Sequence, residues 1–276
     1  AAPDVGLDPG KPFASKAHVP DRPALEAYPC TPVRVFRERR PAAIRAVAPG
    51  DIHVLDMGAY YSGFVRLTVR NAQRGQLIRV RYGDWVNKDG TLFTTNLRLA
   101  AGMADEYICA GAAEETWEPR FTFRGHRYVE ITGWPDPGGP SDRDVVGIEL
   151  TQDAPETLRF SCGSPMLNAL FAAIGNTRRA CTLEAPLDCP QRDERQGWFG
   201  DAQIFAATAS YQAQLHAFYR KWMVDVLDSQ HREGGFARLA PNNNGYWPDS
   251  DPDGGPVYAD AGVILPWILY WHFGDR

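Results

Sequence analysis

The spacing of apolar positions along this 276-residue chain changes near residue 156, and the change divides it in two. From residue 52 to about 150 the period is two. Val65, Leu67 and Val69 alternate with Arg66, Thr68 and Arg70, and Ile78, Val80 and Tyr82 alternate with Arg79 and Arg81. Alternation of this kind puts one side-chain set on each face of a strand. Further apolar runs stand at 107–109, 121–123, 128–131 and 145–150, separated by turn signals at Arg74-Gly75, Lys88-Asp89-Gly90 and Pro137-Gly138-Gly139. Short strands at this spacing, with no helical pattern between them, predict an antiparallel β-sandwich over 46–155. Residues 1–45 are Pro-rich and lack apolar periodicity. They read as a linker or the tail of a preceding domain, with one extended piece at 33–37.

Past 156 the period becomes helical. Ser164-Pro165 is a cap followed by a first-turn proline, and Leu167, Leu170, Phe171 and Ile174 form a stripe behind it. A second helix opens at Asp201 with Ile204, Phe205 and Thr208 on one face. A third carries Leu215, Phe218, Tyr219, Trp222, Met223, Val226 and Leu227 at 3-4-3-4 spacing. Residues 232–258 form a Gly/Pro/Asn/Asp loop long enough to suspect function. The segment 261–273 is apolar almost all round and predicts a fully buried helix. Residues 156–276 thus hold the opening helices of an all-α domain.

Composition changes this picture little. The chain is 44% hydrophobic and 23% charged with a net charge of −5, which gives no basic surface for nucleic acid. Eight Trp, 11 Tyr and 13 Phe suit large cores and also platforms for sugar rings. The five cysteines, at 30, 109, 162, 181 and 189, form no CxxC pair; an odd number predicts reduced, buried thiols and a cytoplasmic setting. Cys162, Cys181 and Cys189 are candidates to meet in space. No apolar run reaches the ~18–20 residues of a membrane helix. With no signal peptide and no initial Met, the chain reads as the middle of a longer protein.

The chemistry concentrates in 188–201, Asp-Cys-Pro-Gln-Arg-Asp-Glu-Arg-Gln-Gly-Trp-Phe-Gly-Asp. The segment holds four acids, two arginines and a Trp between glycines, flanked by apolar helices. Such a run is ordinarily a solvated loop, but Gly-Trp-x-Gly is an odd sequence for solvation alone, and Asp201 falls at a helix start. Glycoside cleavage needs two carboxyl groups about the scissile bond, one of them protonated. Crowding among Asp188, Asp193 and Asp201 favours a protonated Glu194, while Arg192 and Arg195 oppose it.

Residues 188–202 closely resemble the signature of bacterial α-L-rhamnosidases of glycoside hydrolase family 78. Matching pieces flank them: Leu55-Asp56-Met57-Gly58, Gly63-Phe64-Val65-Arg66-Leu67, Trp117-Glu118-Pro119-Arg120-Phe121, Gly125-His126-Arg127-Tyr128-Val129-Glu130 and, later, Tyr258-Ala-Asp-Ala261 with Pro266-Trp267. The resemblance covers roughly 30–276. It implies a concanavalin-like sandwich followed by the first helices of an (α/α)6 six-hairpin barrel, hydrolysing terminal α-L-rhamnosides with inversion and no cofactor. Glu194 then matches the general acid, with Asp193 as the neighbour that could be mistaken for it. Asp188 and Asp201 match carboxylates that bind sugar hydroxyls, Trp198 an aromatic wall, and Arg192 a brace for an aspartate; Tyr258 and Asp260 fall in the later motif. The chain departs from the family at Gln196, usually apolar, at His126, usually Phe, and at Tyr258-Ala259, usually Trp-Gly. The family's general base is a downstream Glu that this chain does not reach. Glu184 and Glu233 are the other glutamates beyond the 156 boundary and match no motif, so the chain alone is expected to be inactive and to expose apolar surface.

Other signals compete. Asp249-Ser-Asp-Pro-Asp253-Gly254, with Asp260 twelfth, has half the pattern of a calcium loop, but Pro252 and Pro256 interrupt it and no metal site is expected. Tyr246 and Trp247 suit a substrate-facing loop. His216 is expected to be solvated, and His53 and His126 to be structural. A non-catalytic carbohydrate-binding module is the other class, with Trp85, Phe93 and Trp134 as its candidate platform. A glucoamylase-like (α/α)6 hydrolase would share the barrel but not the 188–201 segment.

Overall fold

The computed structural model describes residues 26–47, 51–97, 103–242 and 255–276. Among these residues ten strands come first: β1 (Val33–Arg39), β2 (Ala43–Val47), β3 (Ile52–Arg70), β4 (Leu77–Gly83), β5 (Trp85–Val86), β6 (Leu92–Phe93), β7 (Ala104–Ile108), β8 (Glu114–Trp117), β9 (Arg124–Thr132) and β10 (Val145–Gln152). Four helices follow among the described residues: α1 (Pro165–Cys181), α2 (Phe199–Gln212), α3 (His216–Asp228) and α4 (Ala261–Phe273).

Every strand pairing is antiparallel, and the 19-residue β3 organises the domain. Its first part pairs with β2 on one side and β9 on the other. The register shifts between Asp56 and Tyr61, and the later part pairs with β10 and β8. β3 therefore belongs to both halves of one curled sheet. Leu55, Val80 and Ile131 from one half and Val65, Leu67 and Val145 from the other share a single buried cluster. The alternating polar residues face outward, where Arg66 pairs with Glu118 and Arg70 with Glu114, both at 2.9 Å.

Two strand expectations need correction. The sheet begins ahead of residue 46, because β1 pairs with β10 and β2 with β3. β1 is exposed along most of its length, so main-chain pairing holds it and no hydrophobic period announces it. The run 121–123 is not a strand: Phe121 is fully exposed with a left-handed φ of 57°. The strand lies just before it, at β8, where Glu115 turns back to accept from the backbone N–H of Ala110, Gly111 and Ala112 at 2.8–3.0 Å.

α1 starts as expected, with Ser164 Oγ accepting from the Leu167 N–H at 3.4 Å and Pro165 in the first turn. α2 begins at Phe199, two residues before Asp201. Phe199, Ala202 and Ala206 of α2, Phe218, Trp222 and Val226 of α3, and Leu265 and Leu269 of α4 form the second buried cluster. The prediction that α4 is fully buried fails. Its far face is exposed, with Val263 at 71%, Trp267 at 59% and Trp271 at 69%. Leu167 and Leu170 of α1 are exposed as well. His216 is more than solvated: its Nε2 lies 2.8 Å from Asp275, and its ring stacks on Phe273.

All five cysteines are free thiols, but Cys162 is exposed rather than buried. α1 separates Cys162 from Cys181 by ~25 Å, so those three thiols do not converge. No helix among the described residues is long and apolar enough to cross a membrane. The half calcium loop and the aromatic pair Tyr246 and Trp247 lie outside the described residues, as does the linker up to residue 25.

Candidate functional site

The site is built on the connection between α1 and α2, and the residues beneath it explain its glycines. Gly197 to Phe199 runs antiparallel beside 238–240: Ala240 N–H donates to Gly197 O at 3.0 Å, and Phe199 N–H to Arg238 O at 2.8 Å. Below lies Trp222, fully buried, donating through Nε1 to Ala240 O at 2.9 Å and meeting the Phe199 ring edge-on. A Cβ on Gly197 would fall 2.4 Å from Ala240 O and 2.9 Å from Trp222 Nε1, so no other residue fits without displacing the core. Trp198 is thereby held at the rim, its ring edge-on to Tyr258 with centroids 5.6 Å apart. Tyr258 also lies against Gly200, where a Cβ would meet its ring at 3.0 Å.

Glu194 is the centre of the polar cluster. Its Oε1 accepts from Trp198 Nε1 at 3.0 Å, and its Oε2 pairs with Arg192 at 3.1 Å. Its side chain is only 12% exposed. Asp188 is fixed by Gln196 N–H at 2.9 Å and by the Cys189 thiol, which donates to its other oxygen. Arg192 Nε reaches back to Cys189 Sγ at 3.4 Å. Burial, reinforced by the bond to Asp188, pushes the Cys189 thiol up to about 12; Cys181 is also pushed up to about 12, by burial and then by the Asp188 charge. Asp201, in the first turn of α2, has its carboxyl raised by desolvation first and then by the charges of Asp188 and Glu194. Asp201 as a residue is exposed, so solvent screens part of that interaction.

Asp188, Cys189 and Glu194 present oxygen or sulfur atoms within 4.8 Å of one another. As a metal-ligand set they are a poor fit. The thiol stays protonated and bonded to Asp188, and Glu194 is engaged by Trp198 and Arg192.

The β-domain holds this loop from the other side. Arg195 adopts a left-handed φ of 45°. Its Nη1 donates to Phe123 O at 2.6 Å, and its guanidinium lies 5.0 Å from the Phe123 ring centroid. Gly125 N–H donates to Pro190 O at 2.8 Å, and Tyr60 Oη to Gln191 Oε1 at 3.2 Å.

Comparison with known proteins places both halves of the chain. Residues 47–151 match the bacterial alpha-L-rhamnosidase concanavalin-like domain, and residues 155–276 match the bacterial alpha-L-rhamnosidase 6 hairpin glycosidase domain. The chain belongs to the bacterial α-L-rhamnosidase family. An α-L-rhamnosidase of Streptomyces avermitilis is 43% identical over 89% of this chain, which spans 23% of that protein. The solved structure of a Streptomyces avermitilis α-L-rhamnosidase complexed with L-rhamnose superposes with a TM-score of 0.83 at 42% identity, covering 90% of this chain and 23% of that one. The α-L-rhamnosidase of Aspergillus terreus superposes with a TM-score of 0.77 at 32% identity, covering 89% of this chain and 28% of that one. The chain thus spans about a quarter of the length of these relatives.

Within this rhamnosidase-family chain, Glu194, Asp188, Arg192 and Trp198 are brought together, with Asp201 alongside and Tyr258 against Trp198. Asp260 is not joined to them by the contacts described. Its Oδ2 accepts from Val257 N–H at 3.0 Å and its carbonyl from Val263 and Ile264, which makes it the start of α4. The charge of Asp193 acts on the Arg195 guanidinium. Sequence reasoning missed Tyr60, Phe123, Gly125 and Gln191. The first three stand in strand or turn contexts far from the motif, and only their repeated contact with 190–195 marks them.

Proposed function

We propose that this chain supplies the acid half of an inverting α-L-rhamnosidase site, with α1 to α4 as the first helices of an (α/α)6 barrel. The observation that carries the reading is Glu194 seated between Trp198 Nε1 and Arg192 beside Asp188. Glu194 protonates the glycosidic oxygen as the bond to rhamnose breaks. Asp188, Arg192 and Asp201 take the sugar hydroxyls, and Trp198 and Tyr258 wall the apolar side of the ring. Asp260 holds the Tyr258 turn and so shapes that wall. The base is a carboxylate outside these 276 residues, ~6.5–9.5 Å from Glu194 with a water between them. The exposed faces of α1 and α4 are where the remaining helices pack. On this reading the 276-residue chain alone is inactive, and it needs no cofactor.

A panel of p-nitrophenyl glycosides tests the assignment, using the chain extended beyond Arg276 by its native coding sequence. Release from the α-L-rhamnoside alone supports it, and no release from any sugar rejects it.

One observation favours a second reading. Asp188 and Glu194 have oxygens within 4.8 Å, near the ~5–5.5 Å separation of retaining carboxyl pairs. Asp188 accepts from Gln196 N–H and the Cys189 thiol, which suits a fixed binding group better than a nucleophile. Proton NMR of the first-formed sugar decides: β-L-rhamnose for inversion, α-L-rhamnose for retention.

A further inference from the structure

On the β-domain side of the acid loop lies a hollow of about 380 Å³ lined by Tyr60, Asp84, Trp85, Arg127, Tyr128 and Gln191. None of the roles above uses it, except that Tyr60 and Gln191 join it to the loop. We propose that this hollow is a second pyranose subsite, which seats the sugar on the leaving-group side of the cleaved rhamnoside. The substrate it would take is therefore a rhamnosyl disaccharide or longer glycan, and the proposal rests on the rhamnosidase reading above.

Four features argue for a built site. The volume falls in the usual range for small-ligand clefts, ~300–1,000 Å³. Trp85 is 67% exposed, yet it stands on an ordered hairpin, with β5 and β6 paired through Trp85 and Phe93. The turn is tied by Asn87 N–H to Thr91 O at 2.8 Å and Thr91 N–H to Asp89 Oδ1 at 3.0 Å. A large aromatic carried into solvent on a paired hairpin, beside two tyrosines, is the platform a sugar's apolar face needs.

The polar lining is oriented in the same way. Asp56 grips Arg127 through Nε and Nη2 at 2.9 Å each, which leaves Nη1 uncommitted to that pair. Asp84 Oδ2 accepts from Asn96 at 3.1 Å, while Asp84 Oδ1 has no partner among the described residues. Burial raises the Asp84 carboxyl to about 6, with the Asn96 bond opposing, so near neutrality it can accept from or donate to a hydroxyl. Finally, Gln191 sits three residues before Glu194 and is bonded by Tyr60 at 3.2 Å. A ring in the hollow therefore abuts the same loop that carries the acid.

Ligand-observed saturation-transfer NMR on the 276-residue chain tests this with two separate probes, methyl β-D-glucopyranoside and L-rhamnose. The glucoside is expected to receive transfer from the unmodified chain and to lose most of it in Trp85→Ala, while rhamnose transfer stays. In Trp198→Ala the pattern reverses. Equal glucoside transfer with and without Trp85, or none to the unmodified chain, overturns the subsite. Rhamnose transfer that is indifferent to Trp198 instead counts against the rhamnosidase pocket and leaves the glucoside result standing on its own. Because Trp85 is on the surface, its replacement leaves the fold intact, and an unchanged circular dichroism spectrum and melting midpoint check that.

Discussion

A single carboxylate shows how much the site depends on neighbours rather than on residue type. Three acids crowd 188–194, and sequence position alone cannot separate their duties. Contacts separate two of them: Asp188 is held by Gln196 N–H and the Cys189 thiol, and Glu194 faces Trp198 and Arg192. Asp201 differs from all three, being exposed at the helix start with its carboxyl raised by desolvation and then by Asp188 and Glu194. In the function proposed above it binds sugar and does not pass a proton to the leaving group. Asp201→Asn in the extended active protein should therefore raise KM about tenfold, the loss of one charged hydrogen bond, with kcat changed far less. Steady-state kinetics on an aryl rhamnoside checks this, and an unchanged KM rules the role out. The motif made these acids legible because it is contiguous. The parts of Tyr60 and Gly125 were not legible, since these residues become neighbours of the loop only when β3 and β9 are folded against it.

At the level of elements, the fold was readable where buried apolar residues follow a pattern. β4 and the second half of β3 alternate in burial, and β9 and β10 carry the buried apolar positions Val129, Ile131, Val145 and Ile148. β1 is exposed and held by pairing with β10, and β8 reads Glu-Glu-Thr-Trp, so neither shows an apolar period. α4 misled in the opposite sense. Its all-round apolarity signals burial, but its outer face has no cover among the described residues.

β9 carries two testable positions. A Cβ on Gly125 would lie 2.1 Å from Tyr60 Oη and 2.7 Å from both Gln191 N and Pro190 C. Gly125→Ala should push the acid loop off the sheet, costing ~1–3 kcal/mol in urea unfolding and, in the extended protein, lowering kcat more than it raises KM. Unchanged stability and kinetics would show that the sheet does not brace the loop. His126 is wholly buried between Tyr61 and Tyr82, with Nδ1 3.0 Å from Arg124 O, and burial lowers its pKa to about 3. Between its ordinary value near 6.5 and about 3, the unfolded chain binds a proton that the folded chain refuses. Stability therefore falls as pH drops through that window, by roughly 1 kcal/mol per pH unit from this group. His126→Phe should flatten that slope, measured as urea midpoints from pH 7 to pH 4; an unaltered slope would show that His126 is not its source.

The whole molecule is a β-domain and a helical segment whose apolar faces are only partly matched. Among the described residues, Met166, Leu167 and Leu170 on α1 and Val263, Trp267 and Trp271 on α4 face solvent, and grouped exposed apolar side chains mark a surface that a partner segment covers. The isolated chain should bind a hydrophobic dye and self-associate with rising concentration in sedimentation velocity, and the extended protein should do neither. A monodisperse, dye-silent chain would mean that these faces need no cover. The chemistry itself turns on one proton. If Glu194 protonates the leaving group, its loss matters in proportion to how badly that group needs a proton. The direct measurement is kcat for Glu194→Gln in the extended protein, across rhamnosides of graded leaving-group pKa. A loss of about 10²-fold or more is expected for alkyl and sugar leaving groups, shrinking steadily toward activated nitrophenyl rhamnosides. An equal loss across the series would contradict it.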